Sequence, residues 1–143
     1  MSAEPAATVR ALHAELPLLL FHAAGAALGV ETAAVEGVMD ADLARRSGLV
    51  CRDLADLLGA AGTGMPPPRL VLVCREAPCG IGIDSLDAIV TVPTTDLRLL
   101  PELFAQFPGA RAFWGGIVRA RRVVLLVDVV RLLEPMTAFG EMA

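Results

Sequence analysis

Cys74 and Cys79 flank a turn, Arg75-Glu76-Ala77-Pro78, that sets two thiols across a hairpin from each other. Such a pair can close a reversible disulfide or begin a metal site. A metal needs further ligands of similar reach, and Cys51, His13 and His22 are the soft candidates left. Buried strand cysteines are the simpler reading, with a redox switch as the alternative. His22 follows Phe21 on an apolar run, with no Ser or Cys in a nucleophile-elbow context, so nucleophilic catalysis has no support. Glu31, Asp53, Asp84 and Asp128 stand at strand-to-helix transitions, where capping accounts for an acid better than proton transfer does. Gly80-Ile81-Gly82 lies between strands with no phosphate-binding helix after it; a bulge or barrel corner replaces the dinucleotide reading. These residues predict no enzyme, no metal and no cofactor.

Residues suited to holding a partner are more evident. Phe113-Trp114-Gly115-Gly116 carries the one tryptophan, which either anchors an interface or packs in the core. Arg119, Arg121 and Arg122 form a basic cluster at a predicted hairpin turn, either solvated or serving as a rim for an acidic partner. The whole chain is acidic, with 12 Arg and no Lys against 16 acids, a net charge of -4 and a pI of about 5.1. That balance argues against nucleic acid as the main partner, since phosphate contacts need a concentrated basic face.

The elements that must position these residues are short. With 143 residues, 55% hydrophobic and 20% charged, the composition is that of one folded domain that holds a core without disulfides or metal. The longest apolar stretch, Leu16 to Val30, is interrupted by Pro17, His22, Gly25 and Gly29, and a spanning helix needs ~20 apolar residues, so no membrane insertion is expected. Met1 to Pro5 lacks a basic leader region, and three cysteines without framework spacing fit a reducing cytoplasm. Val9, Leu12, His13 and Leu16 follow Pro5 at helical spacing and predict a short amphipathic helix or ordered tail. Beyond it, nine short apolar runs of strand length follow: Leu18-Phe21, Ala27-Val30, Val35-Met39, Leu49-Cys51, Leu70-Cys74, Gly80-Ile83, Ile89-Val92, Phe113-Val118 and Val123-Val127. The body is mainly β.

A Gly- and Pro-rich segment near Gly59 to Pro68 reads as a linker between two halves that resemble each other. Leu28-Gly29-Val30 runs parallel to Ile81-Gly82-Ile83 at an offset of 53, and Cys51-Arg52-Asp53 runs parallel to Leu126-Val127-Asp128 at an offset of 75. The difference, 22 residues, is a segment near Thr94 to Gly116 that the first half lacks. Each half ends in an Asp placed to cap a short helix whose Leu57-Leu58 or Leu132-Leu133 pair plugs the unit.

In this order, Leu18-Leu19-Leu20-Phe21-His22, Leu28-Gly29-Val30, Cys79-Gly80-Ile81-Gly82-Ile83-Asp84-Ser85-Leu86 and Val123 to Leu133 resemble the CheW-like domain of bacterial chemosensory systems. The resemblance spans Leu16 to Leu133. It implies two small SH3-like five-stranded β-barrels side by side, with short helices at the N-terminus and barrel ends. The expected division is a first, truncated barrel over 16–59, a linker over 60–68, a second barrel over 69–133 and a tail over 134–143. It also implies a cytoplasmic, non-enzymatic scaffold or adaptor. Its partners would be the cytoplasmic tip of a chemoreceptor, the regulatory domain of a CheA-type kinase, or other CheW-like proteins.

By the same resemblance, Val35 falls on a position the family uses at its binding surface, and Gly37 falls where the coupling protein often has Glu. Counting back from Asp53 sets Arg45, with Arg46 beside it, near the Arg of the family's Asn-Leu-Arg-Gly; matching on Gly48 sets Ser47 there instead. A charge at Val35 is thus expected to abolish binding while the fold persists. The shortened first barrel favours, as an alternative, an accessory protein that joins the array without coupling the kinase.

Overall fold

The computed structural model describes residues 15–59, 67–75, 78–100 and 109–134. The helix expected over Pro5 to Leu16 and most of the linker and tail lie outside these residues, although Leu16 itself belongs to the first strand. The strands are β1 (Glu15–Ala23), β2 (Ala26–Glu31), β3 (Val35–Asp40), β4 (Val50–Asp53), β5 (Leu70–Cys74), β6 (Cys79–Ile83), β7 (Ser85–Pro93), β8 (Phe113–Arg119) and β9 (Arg122–Val127). Each expected apolar run is a strand or lies largely within one. Three short helices accompany them: α1 (Ala41–Arg46), α2 (Leu54–Leu57) and α3 (Val129–Leu133).

The strands form a five-stranded sheet in the order β7-β1-β2-β9-β8 and a four-stranded sheet in the order β3-β5-β6-β4. Each opens on an antiparallel hairpin, β1 with β2 or β5 with β6, and each then adds a parallel strand, β9 on β2 or β4 on β6. The internal repeat is therefore real, and among the described residues β8 is the strand without a counterpart. Beyond β7 the chain returns to β8, where Arg98 and Gly116 exchange two backbone hydrogen bonds of 2.9 Å, tying the two ends of the larger sheet together.

Two expectations need correction. The sequence halves 16–59 and 69–133 do not form one sheet each: β3 and β4 join the hairpin of the second half, and β7, β8 and β9 join that of the first. The reason lies in the connections. Asp84 alone separates β6 from β7, fewer residues than a tight hairpin needs, so the chain cannot turn back and crosses to pair with β1. The repeat offset is the second correction. Gly29 pairs with Leu126, and Cys51, which corresponds to Leu126, pairs with Gly80 and not with Gly82, which sits opposite Asp53. The hydrophobic pattern at Gly80 and Gly82 is the same, so a slip of two residues leaves every side chain on its own face and is invisible in the sequence.

Burial explains the continuous apolar run of β1. Leu16, Leu18 and Leu20 face an interior cluster with Val92, Ile117, Val124 and Leu126, whereas Leu19, Phe21 and Ala23 face a second cluster shared by both sheets. A strand covered on both faces reads as unbroken hydrophobicity. The shared cluster takes Leu72, Cys74, Ile81 and Ile83 from the smaller sheet, and Leu54 and Leu132 from α2 and α3. Those helices start as expected: the Asp53 carboxylate accepts the Ala55 N–H at 3.1 Å, and Asp128 accepts the Arg131 N–H at 3.2 Å.

The smaller sheet has a modest interior of Ala41, Ala44 and Val71, with Met39, Leu49 and Cys51 against them. Gly80 faces this interior because a Cβ there would lie 2.3 Å from Val71 Cγ1. Helix α1 covers one end. It has an N-cap at Asp40, which accepts from the Asp42 N–H at 2.9 Å, and a left-handed Gly48 just past its C-terminus. Asp40 and Gly48 bracketing Asp42 and Arg45-Arg46 were a legible helix signal that the strand-by-strand reading passed over.

Candidate functional site

Val35, Gly37, Arg45 and Arg46 lie on the side of the four-stranded sheet, and Trp114, Arg119 and Arg121 lie on β8 and its turn in the other. The structure thus separates the expected binding residues into two groups. Within the first, Val35 is 8% exposed and belongs to the shared core, with its carbonyl accepting from Arg75 Nη2 at 3.3 Å. It presents no side chain to a partner. Gly37, just past a bulge in β3, is exposed with open space around it. Arg45 and Arg46 are exposed in the last turn of α1, where a cation suits the helix dipole, and Arg45 is ion-paired to Asp42.

In the second group, Ala120 and Arg121 take left-handed backbone angles, φ 49° and 66°, and make the two-residue turn between β8 and β9. The three arginines surround it, as expected, and Val118 and Val123 form an exposed cross-strand pair just below. An apolar pair ringed by cations is suited to a partner surface with acids around a hydrophobic spot. Trp114 occupies the bulge between Phe113 and Gly115 and packs, half-buried, on the interior of the larger sheet. Sequence reasoning missed Leu43, Val50 and Ile89, which are exposed on α1, β4 and β7; Val50 and Ile89 stand in apolar runs whose inward neighbours concealed them, and Leu43 lies on a helix that was not expected.

The cysteines share one corner of the smaller sheet. Cys74 is 3% exposed, and burial, with Cys79 adding to it, pushes its thiol up to about 11. Burial also raises Cys79, opposed by Arg52 and reinforced by Cys51. A protonated, enclosed thiol is a poor nucleophile, which weighs against a redox switch at Cys74. Its linkage to folding has a definite sign. The unfolded thiol loses its proton near pH 9 while the folded one holds it to about 11, so stability is full below pH 9 and falls between 9 and 11, by about 2 kcal/mol. Urea titrations across that range should show this loss in the wild type and a much shallower one in Cys74→Ala. Among the described residues, no three His, Cys, Asp or Glu side chains are grouped to hold a metal ion, and no helix is long and apolar enough to cross a membrane.

One pocket, of about 160 Å³, opens beside β4. Ala41 and Arg45 of α1, Cys51, Arg52 and Asp53 of β4, Pro67, Pro68, Val71 and Gly82 line it, and most of the lining is apolar.

No family model matches the chain, and no curated protein matches it in sequence. Among solved structures, it is similar to the crystal structure of the scaffolding protein TtCheW from Thermoanaerobacter tengcongensis. The two share 12% identity with a TM-score of 0.68, over 85% of this chain and 94% of that one. At that identity the likeness establishes the fold, which is CheW-like: mainly β, in two small sheets with few short helices.

Proposed function

We propose that this chain is a non-enzymatic scaffold or adaptor of bacterial chemosensory signalling. In this reading it works in the cytoplasm at receptor arrays and binds chemoreceptor tips, the regulatory domain of a CheA-type kinase, or other CheW-like domains. The carrying observation is the CheW-like fold itself, which extends over nearly the whole of a scaffolding protein's chain. The exposed apolar and arginine groups at the β8–β9 turn support binding to proteins.

The four-stranded sheet favours a second reading. Among the described residues it has no counterpart of β8, so a surface built on a complete barrel is altered on that side, as suits an accessory protein that joins an array without coupling the kinase. Calorimetric titration of the full chain against the cognate receptor tip and, separately, the kinase regulatory domain decides between them. Heat with both ligands is the result expected of a coupling scaffold, and heat with the receptor tip alone that of an accessory protein. Silence with both, in a folded sample, overturns the chemosensory reading.

A further inference from the structure

In the larger sheet, β9 is covered on both edges, by β2 on one and by β8 on the other. Its counterpart β4 pairs with β6 and, among the described residues, with no strand on its outer edge. The residues correspond in register: Cys51 stands for Leu126, Val50 for Leu125 and Leu49 for Val124. Edge N–H and C=O groups of this kind are a template for another strand.

A second observation concerns the interior. In the larger sheet, β8 and the segment leading to it supply Ile117, Leu97 and Trp114 to the interior cluster. The smaller interior has only Ala41 and Ala44 of α1 in their place, and the pocket of about 160 Å³ lies there, open beside Cys51. The missing strand and the missing side-chain volume coincide.

We propose that the outer edge of β4 accepts an extended segment of a partner protein as an added antiparallel strand, seating one apolar side chain in the pocket beside Cys51. The occupant is patterned on β8, Phe-Trp-Gly-Gly-Ile-Val-Arg. It has small residues opposite Val50 and Cys51, where β8 sets Gly116 and Gly115 against Leu125 and Leu126, and an aliphatic or aromatic anchor near them. Backbone hydrogen bonds then supply affinity and the pocket supplies selectivity. Val50, 66% exposed, is covered in the process. The inference rests on the comparison of the two sheets and holds whether or not the chain acts in chemosensory arrays.

The test is amide hydrogen exchange on the full chain, read at Val50–Asp53, with a synthetic peptide of residues Ala112 to Arg119 as the probe. The expected result is rapid exchange of the outward β4 amides in the free protein and at least tenfold slowing at saturating peptide, with β9 unaffected. A peptide N-methylated at alternate amides should give no protection. One with Trp114 and Ile117 replaced by alanine should bind at least tenfold more weakly. All variation is in the peptide, so a misfolded protein cannot imitate a negative. Three outcomes overturn the proposal: no protection at millimolar peptide, β4 amides already protected in the free protein, or protection indifferent to N-methylation.

Discussion

Val35→Asp is expected to destabilise the protein severely, not to leave a fully stable chain that has lost its partner. The resemblance placed Val35 on a binding surface, but the side chain packs in the cluster that joins the two sheets, alongside Leu72 and Cys74. A carboxylate there must either stay charged in an apolar site or bind a proton, and removing a charge from water without a partner costs several kcal/mol. The Arg75 guanidinium nearby is engaged with the carbonyls of Ala33 and Val35, so it offers an introduced acid little compensation. A loss of about 3 kcal/mol or more is a large fraction of a domain's stability. Thermal unfolding followed by circular dichroism measures it, with Gly37→Glu as the companion. Gly37 has open space around it, and that variant should change stability by less than about 0.5 kcal/mol. If Val35→Asp melts like the wild type, the burial of this position is refuted.

Gly80→Ala should be nearly as damaging, although it adds a single methyl group. The new Cβ would sit 2.3 Å from Val71 Cγ1, with Cys51 Sγ and Leu49 Cδ2 both at 3.1 Å. Val71 is β-branched and buried, so its short side chain has few χ1 positions to move to, and it or the strands must shift. Overpacking of this kind costs about 1–3 kcal/mol, and the closeness of the contact puts Gly80→Ala at the upper end. Chemical denaturation should show an earlier midpoint with an unchanged slope. Gly80→Ala combined with Val71→Ala provides the control: the smaller neighbour makes room, so the double variant should be less destabilised than the two single changes summed. Simple additivity would show that contact with Val71 is not the cause.

Most of the secondary structure was legible because its signals are local. Apolar runs of three to six residues bounded by Gly, Asp and Arg turns identify strands without reference to what covers them. Asp53 and Asp128 identified two helix starts for the same reason, since the carboxylate bonds to N–H groups two or three residues away. The β8–β9 turn was equally readable. The binding residues were less so. Val35 is separated by two positions from Gly37, yet one is buried and the other open, because a bulge in β3 lies between them and a bulge leaves no mark in the hydrophobic pattern. Trp114 was undecided in the sequence, since an aromatic residue beside two glycines suits an exposed strand end as well as a bulge packed on a core.

By itself the amino-acid order determined that this chain is a β protein, that it contains a duplicated unit, and that one copy lacks a segment. These follow from composition, periodicity and spacing, which are properties of neighbours along the chain. Only the tertiary structure decided which strands pair, since a strand's apolar alternation states that a face is covered and not by what. One residue between β6 and β7 sends the second half into the sheet of the first, and every later strand is assigned by that crossing. The same crossing explains why β4 has an open edge beside a pocket: among the described residues the strand that would cover them exists once, and β9 has it.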